Sequence, residues 1–204
     1  MRRAALEAVM RHIFAILILS LLSACGAPEE GAVAAGPQDT FFSRLGAHCG
    51  ASFEGRLVST DASDAAIGAQ RLVMQVRECN DREIRIPFHV GDDHSRTWVI
   101  TRQDAGLRLK HDHRHEDGRE DAVTQYGGDT EDEGTNARQS FPVDAFSIAM
   151  FEREGLTASV TNVWSVEINE AIFAYELARS GRFFRVEFDL AKPVDAPPAP
   201  WGAQ

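Results

Sequence analysis

Between residues 52 and 190 the chain alternates apolar and polar positions with a period of two, the mark of half-buried β-strands. Glu83–Val90 is the cleanest stretch. Ile84, Ile86, Phe88 and Val90 fall on one face, and Glu83, Arg85, Pro87 and His89 on the other. Pro87 has no backbone donor, so this strand is predicted to lie at an edge or to turn that nitrogen away from a ladder. The same alternation predicts strands over Ser52–Thr60, Gln70–Cys79, Arg96–Arg102, Leu107–His115 and Asp121–Tyr126. Three more follow, over Thr157–Ile168, Ile172–Arg179 and Arg182–Leu190. Turn chemistry separates them at Asn80-Asp81, Asp104-Ala105-Gly106, Asp117-Gly118, Asn169-Glu170 and Ser180-Gly181.

Two stretches break the pattern. Thr40–His48, with Phe41, Phe42 and Leu45, predicts a short helix. Asp144–Glu154 places Phe146, Met150 and Phe151 at helical spacing, with Asp144 as N-cap and Gly155 just past the end. Eight or nine antiparallel strands with short turns predict a mainly all-β fold. It is either a closed antiparallel barrel of calycin-like type, the first expectation, or a two-sheet sandwich. Residues 40–190 are read as a single domain. Residues 25–39, rich in Ala, Gly, Pro and Glu, read as a flexible tether. Residues 191–204, with Pro193, Pro197, Pro198 and Pro200, read as a disordered tail.

The N-terminus carries a different signal. Arg2, Arg3 and Arg11 precede an apolar run from Ile13 to Leu22 that is too short to span a bilayer, which takes roughly 20 residues. A basic flank, a short apolar core and small residues before a cut define a secretory signal peptide, here residues 1–24. Leu22-Ser23-Ala24-Cys25 resembles the lipobox of bacterial lipoproteins. The resemblance implies that Cys25 is acylated and becomes the first residue, anchoring the protein in a membrane. Gly26 stands where Asp would resemble an inner-membrane retention signal, so the resemblance implies the outer membrane of a Gram-negative cell, facing the periplasm. The lipid would be the membrane partner.

Residues 1–24 hold three arginines and one glutamate, so the rest is more acidic than the net −10 of the whole chain. An acidic domain with no basic stripe argues against a nucleic-acid partner and against docking on anionic lipid through the domain surface. With Cys25 assigned to lipid, Cys49 and Cys79 remain, in a compartment that permits a disulfide between them.

The most suggestive chemistry lies at the end of one predicted strand. Leu107, Leu109, His111, His113 and His115 share a parity, so the leucines predict that the histidines face inward toward a hairpin tip. Two of the three, with His94 or His48 as a further ligand, would suit Zn2+ or Cu2+. The competing readings are a solvated charged tip and a pH-responsive cluster. Asp129, Glu131, Glu133 and Gly134 resemble the start of an EF-hand loop. The resemblance ends at Ser140, where a bidentate Glu is required, and a solvated loop is the stronger reading. No nucleophile elbow, phosphate loop or His-Glu-x-x-His is present.

Trp98, Tyr126, Trp164 and Tyr175 are candidate cavity linings, against the commoner role of plain core. Asn162 shares a face with Val160, Trp164 and Val166, and so is either bonded structure or a ligand contact. Trp98, Asn162 and Trp164 are taken as the ligand-cavity set. The leading expectation is a non-enzymatic envelope lipoprotein without a cofactor, binding a small apolar ligand or an envelope partner. A periplasmic zinc- or copper-binding protein comes second, and an envelope hydrolase third.

Overall fold

The computed structural model describes residues 35–203. The expected signal peptide, Cys25 and most of the expected tether lie outside the described residues. Helix α1 spans Pro37–Gly46, with Pro37 in its first turn. It therefore begins inside the segment expected to be tether, because a proline at the first helical position sets φ and loses no bond.

Eleven strands follow. They are β1 Ser52–Leu57, β2 Leu72–Gln75, β3 Glu78–Cys79, β4 Glu83–Val90, β5 Asp93–Gln103 and β6 Gly106–His113. The remainder are β7 Tyr126–Asp129, β8 Arg138–Pro142, β9 Val163–Ile168, β10 Ile172–Arg179 and β11 Arg182–Val194. A 3-10 turn at Ala62–Asp64 and helix α2, Ala65–Gly68, link β1 to β2. Helix α3, Ala145–Arg153, and a second 3-10 turn, Thr157–Thr161, precede β9.

All pairings are antiparallel, in the order β7-β6-β5-β4-β2-β1-β11-β10-β9-β8, with β3 also on β4. The sheet curls into a nearly closed barrel rather than two separate layers. Its two end strands meet at a seam formed by glycine. A Cβ on Gly128 would overlap the Pro142 carbonyl oxygen across the seam, and on the other side of β7 one on Gly127 would overlap the Leu109 carbonyl oxygen of β6. Only hydrogen fits at such an approach. The start of α3 stitches the seam. Asp144 N donates to Gly127 O (2.9 Å), and Gly127 N donates to Ser147 Oγ (2.8 Å).

The strand count exceeds the expected eight or nine for local reasons. Gln70–Cys79 is two strands, and the break falls opposite Pro87. Arg85 bonds Arg77 on that side of β4, so by parity the missing Pro87 donor faces the break. The strand expected over Asp121–Tyr126 forms instead at Tyr126–Asp129, and β8 has no counterpart among the expected strands. Thr157–Thr161 turns as 3-10 helix before β9 begins. Asp144 caps α3 by accepting from Ser147 N (2.8 Å), and Gly155 follows the helix at φ 74°, both as expected.

Alternation sorts the wall. Ile84, Ile86 and Phe88, Trp98 and Ile100, Leu107 and Leu109, Trp164 and Val166, and Val186 and Phe188 all point inward and are buried. The outer face of β8–β11 carries an ion-pair ladder in which Arg138 and Arg185 both bond Glu176. Helix α1 caps one barrel end with Phe41, Phe42 and Leu45. Arg102 at the end of β5 lies over the Phe42 ring (4.3 Å) and pairs with Asp39. A Cys49–Cys79 disulfide, with Cα atoms 6.2 Å apart, ties the segment after α1 to β3. In the loop-entropy picture, closing 30 residues contributes about 3–4 kcal/mol.

The C-terminal segment is not the disordered tail its prolines predict. Strand β11 runs on to Val194, pairing with Ser52, and Trp201 N donates to His94 O (3.0 Å). Tertiary partners on β1 and β5 order a segment that has no local signal of its own.

Candidate functional site

The barrel end opposite α1 is open to a small hollow. Strand β6 leads into it, because its inward parity passes from Leu107 and Leu109 to His111 and His113. The sequence expectation of inward imidazoles therefore describes two of the three. His115 lies past the strand end, exposed, with Nε2 3.7 Å from Asp121.

His111 is 2% exposed and both ring nitrogens are used. Nδ1 lies 3.0 Å from Tyr126 O and Nε2 2.7 Å from Tyr175 Oη. A carbonyl only accepts, so Nδ1 carries the proton and Nε2 accepts from the Tyr175 hydroxyl. Burial lowers the His111 pKa to about 3, helped by neighbouring His113 and opposed by the bond to Tyr126 O. His113 falls to about 4, through burial first and Arg96 second, while nearby aspartates oppose the shift. Its Nε2 meets Tyr126 Oη at 3.1 Å. Both imidazoles are thus neutral at pH 7. Burial also raises the Tyr126 and Tyr175 phenols, which stay protonated.

Aromatic rings form the floor. Trp98 is stacked on Tyr175 (centroids 4.3 Å apart) and on Phe88 (4.8 Å), and His111 on Tyr126 (4.4 Å). Leu177 and Phe184 complete the apolar lining. Arg96, His113 and Tyr126 stand at the rim. The roof is the 3-10 turn and α2, which contribute Asp64 and Ile67. Arg182 holds that roof down with a two-pronged pair to the buried Asp64, at 2.6 and 2.5 Å. The hollow, open to solvent on one side, has a volume of about 170 Å³.

The ligand-cavity set divides. Trp98 lines the hollow. Trp164 lies behind His111, fully buried, with its indole nitrogen unbonded. Asn162 sits elsewhere, at the end of the 3-10 turn, accepting from Arg179 Nη1 (3.0 Å). Nor do the further imidazoles join the histidines of β6. His48 packs edge-on to Phe53 and His94 edge-on to His89. Two aspartates of the acidic loop are bound within the protein. Asp129 pairs with Arg108, and Asp132 accepts from Gly134 N. Among the described residues, no group of three or more His, Cys, Asp or Glu side chains is gathered as a metal site.

Four larger hollows are found among the described residues, and the two largest measure about 440 and 660 Å³. Charged side chains of these two already pair with one another, Arg85 and Arg114 with Asp112 in the first and Arg56 with Glu187 in the second. The mouth differs in gathering several aromatic and imidazole rings, where the larger of these two hollows meets only Phe188.

Arg96 and the Asp64–Arg182 latch were not among the residues singled out from the sequence. For Arg96 a signal existed. It shares the inward parity of Trp98 and Ile100, and an arginine on an apolar face is unusual. The latch joins residues 118 positions apart and has no local signal. The chain matches no protein-family model, no curated protein and no solved structure.

Proposed function

We propose that this protein is a lipid-anchored envelope protein that binds a small, largely apolar molecule in the mouth of a calycin-like barrel. The observation carrying this reading is the mouth itself: an aromatic floor of Phe88, Trp98, Tyr175 and Phe184 under a latched roof. Apolar walls with a few convergent polar groups are the usual make-up of a small-ligand site. The volume limits the occupant. A void of about 150 Å³ is enough to hold benzene, so about 170 Å³ suits one ring rather than a long acyl chain. The barrel interior beyond the mouth is filled by its own aromatic side chains.

The polar groups support binding rather than catalysis. His111 has both nitrogens committed, and the two phenols are held protonated. No side chain at the mouth is both basic at neutral pH and free to take a proton. The test is an aromatic-region NMR titration of the purified full-length protein with toluene. Saturable shifts at Trp98, Tyr175 and Phe184 are expected. Absence of saturation, or shifts confined to the outer face, would overturn the reading.

A further inference from the structure

We propose that the mouth selects a single-ring aromatic carboxylate, with Arg96 receiving the carboxylate and the Phe88–Trp98–Tyr175 stack taking the ring. The inference rests on the mouth being the ligand site, and adds the ligand's charge.

Arg96 stands opposite His113 across β5–β6 and opposite Phe88 across β4–β5, so its position at the rim is set by register on both sides. A guanidinium offers five N–H donors in a planar fork. Among the described residues the Arg96 fork makes one bond, from Nη1 to Asp93 Oδ2 at 2.6 Å. The charge of the other cation at the mouth, Arg182, is already met by Asp64 and Asp61. Arg182 gives Nη1 and Nη2 to Asp64, and Nη1 also to the Phe183 carbonyl. That pairing also neutralises Asp64, the carboxylate lining the hollow.

The remaining polar groups are uncharged. The Tyr175 hydroxyl proton is committed to His111, and Tyr126 shares one hydrogen bond with His113. Arg96 is therefore the cation at the mouth with the most donors left, one of its five being used. A planar fork matches a carboxylate in two parallel bonds. A ring attached to that carboxylate would lie toward the aromatic floor, where offset or edge-on packing is favoured. The guanidinium sits at the rim, so the charge of the ligand stays near solvent while its ring is covered.

The experiment is calorimetric titration of the full-length protein with benzoate and with benzamide, its neutral isostere, at pH 7 and low salt. Benzoate is expected to bind at least tenfold tighter. Arg96→Met should remove that preference while leaving benzamide affinity in place. Asp93→Asn should tighten benzoate severalfold, because it removes the competing charge yet keeps the oxygen that accepts from Ser95 N. Equal affinity for the two probes, with toluene binding intact, would overturn the carboxylate inference and leave the mouth as the ligand site. A benzoate preference that survives Arg96→Met would overturn the role of Arg96. If Arg96→Met does not fold, Asp93→Asn decides alone, and unchanged benzoate affinity overturns the proposal. If toluene itself does not bind, the mouth reading fails first.

Discussion

His111 and His89 are almost fully covered, at 2% and 3% exposed, and both are held uncharged. His111 is satisfied by two hydrogen bonds, whereas neither ring nitrogen of His89 has a partner. Burial lowers His89 to about 4, with His94 and Arg77 acting in the same direction and Asp93 against. The folded values lie below the ordinary 6.5, so the unfolded chain takes up protons first as pH falls. Their stabilisation is complete above pH 6.5 and is lost progressively down to about pH 4 for His89 and about pH 3 for His111. At pH 5 each should contribute about 2 kcal/mol less than at pH 7. Urea midpoints measured at the two pH values should show the fall. His113, lowered to about 4, adds a similar share, so His89→Phe should reduce the fall by about a third, since the ring's nitrogens make no bonds to lose. An unchanged midpoint between pH 7 and pH 5 would contradict neutral burial of these rings. The His-x-His-x-His run was legible in the sequence, and Tyr126 and Tyr175 as candidate cavity linings, but their bonding to the histidines was not, because β7 and β10 bring them together from separate positions.

At the scale of elements, the seam between β7 and β8 decides whether the sheet closes. The strand expected over Asp121–Tyr126 stops short of Gly127-Gly128, which belong to β7. Close approach of two backbones requires the glycines, so they stand within β7 itself. Gly128→Ala should force the Pro142 carbonyl away and destabilise by about 2–3 kcal/mol, a fall in Tm of roughly 5–10 °C. Thermal unfolding followed by circular dichroism checks this, and a Tm within a degree of the parent would mean the seam is looser than described. Pro87 acts in the same way on β2 and β3. Its missing donor falls where the neighbouring strand breaks, so one residue shapes two elements.

At the scale of the whole molecule, α1 caps one barrel end, aromatic side chains fill the middle, and a latched roof covers the other end. The ordered C-terminal segment crosses to β5 through Trp201. The lipobox reading places this domain on a membrane through acyl chains, each buried CH2 contributing about 0.8 kcal/mol. Cys25→Ala should therefore move the protein from the membrane pellet to the soluble periplasmic fraction. Retention in the pellet at the parent level would remove the lipid anchor from the proposal.

Period-two alternation by itself determined the β class, most strand positions and which side chains face inward, because side-chain direction in a strand is a local property. Capping chemistry determined α3 in the same way, through Asp144 and Gly155. The pair Cys49 and Cys79 was legible by counting. Tertiary structure alone decided the barrel closure, the split opposite Pro87, the ordering of residues 191–203 and the assembly of the mouth. Each depends on contacts between residues far apart in the chain, such as Arg182 with Asp64 or His111 with Tyr175. Such contacts leave no periodic trace in either segment, because only the folded register brings them within bonding distance.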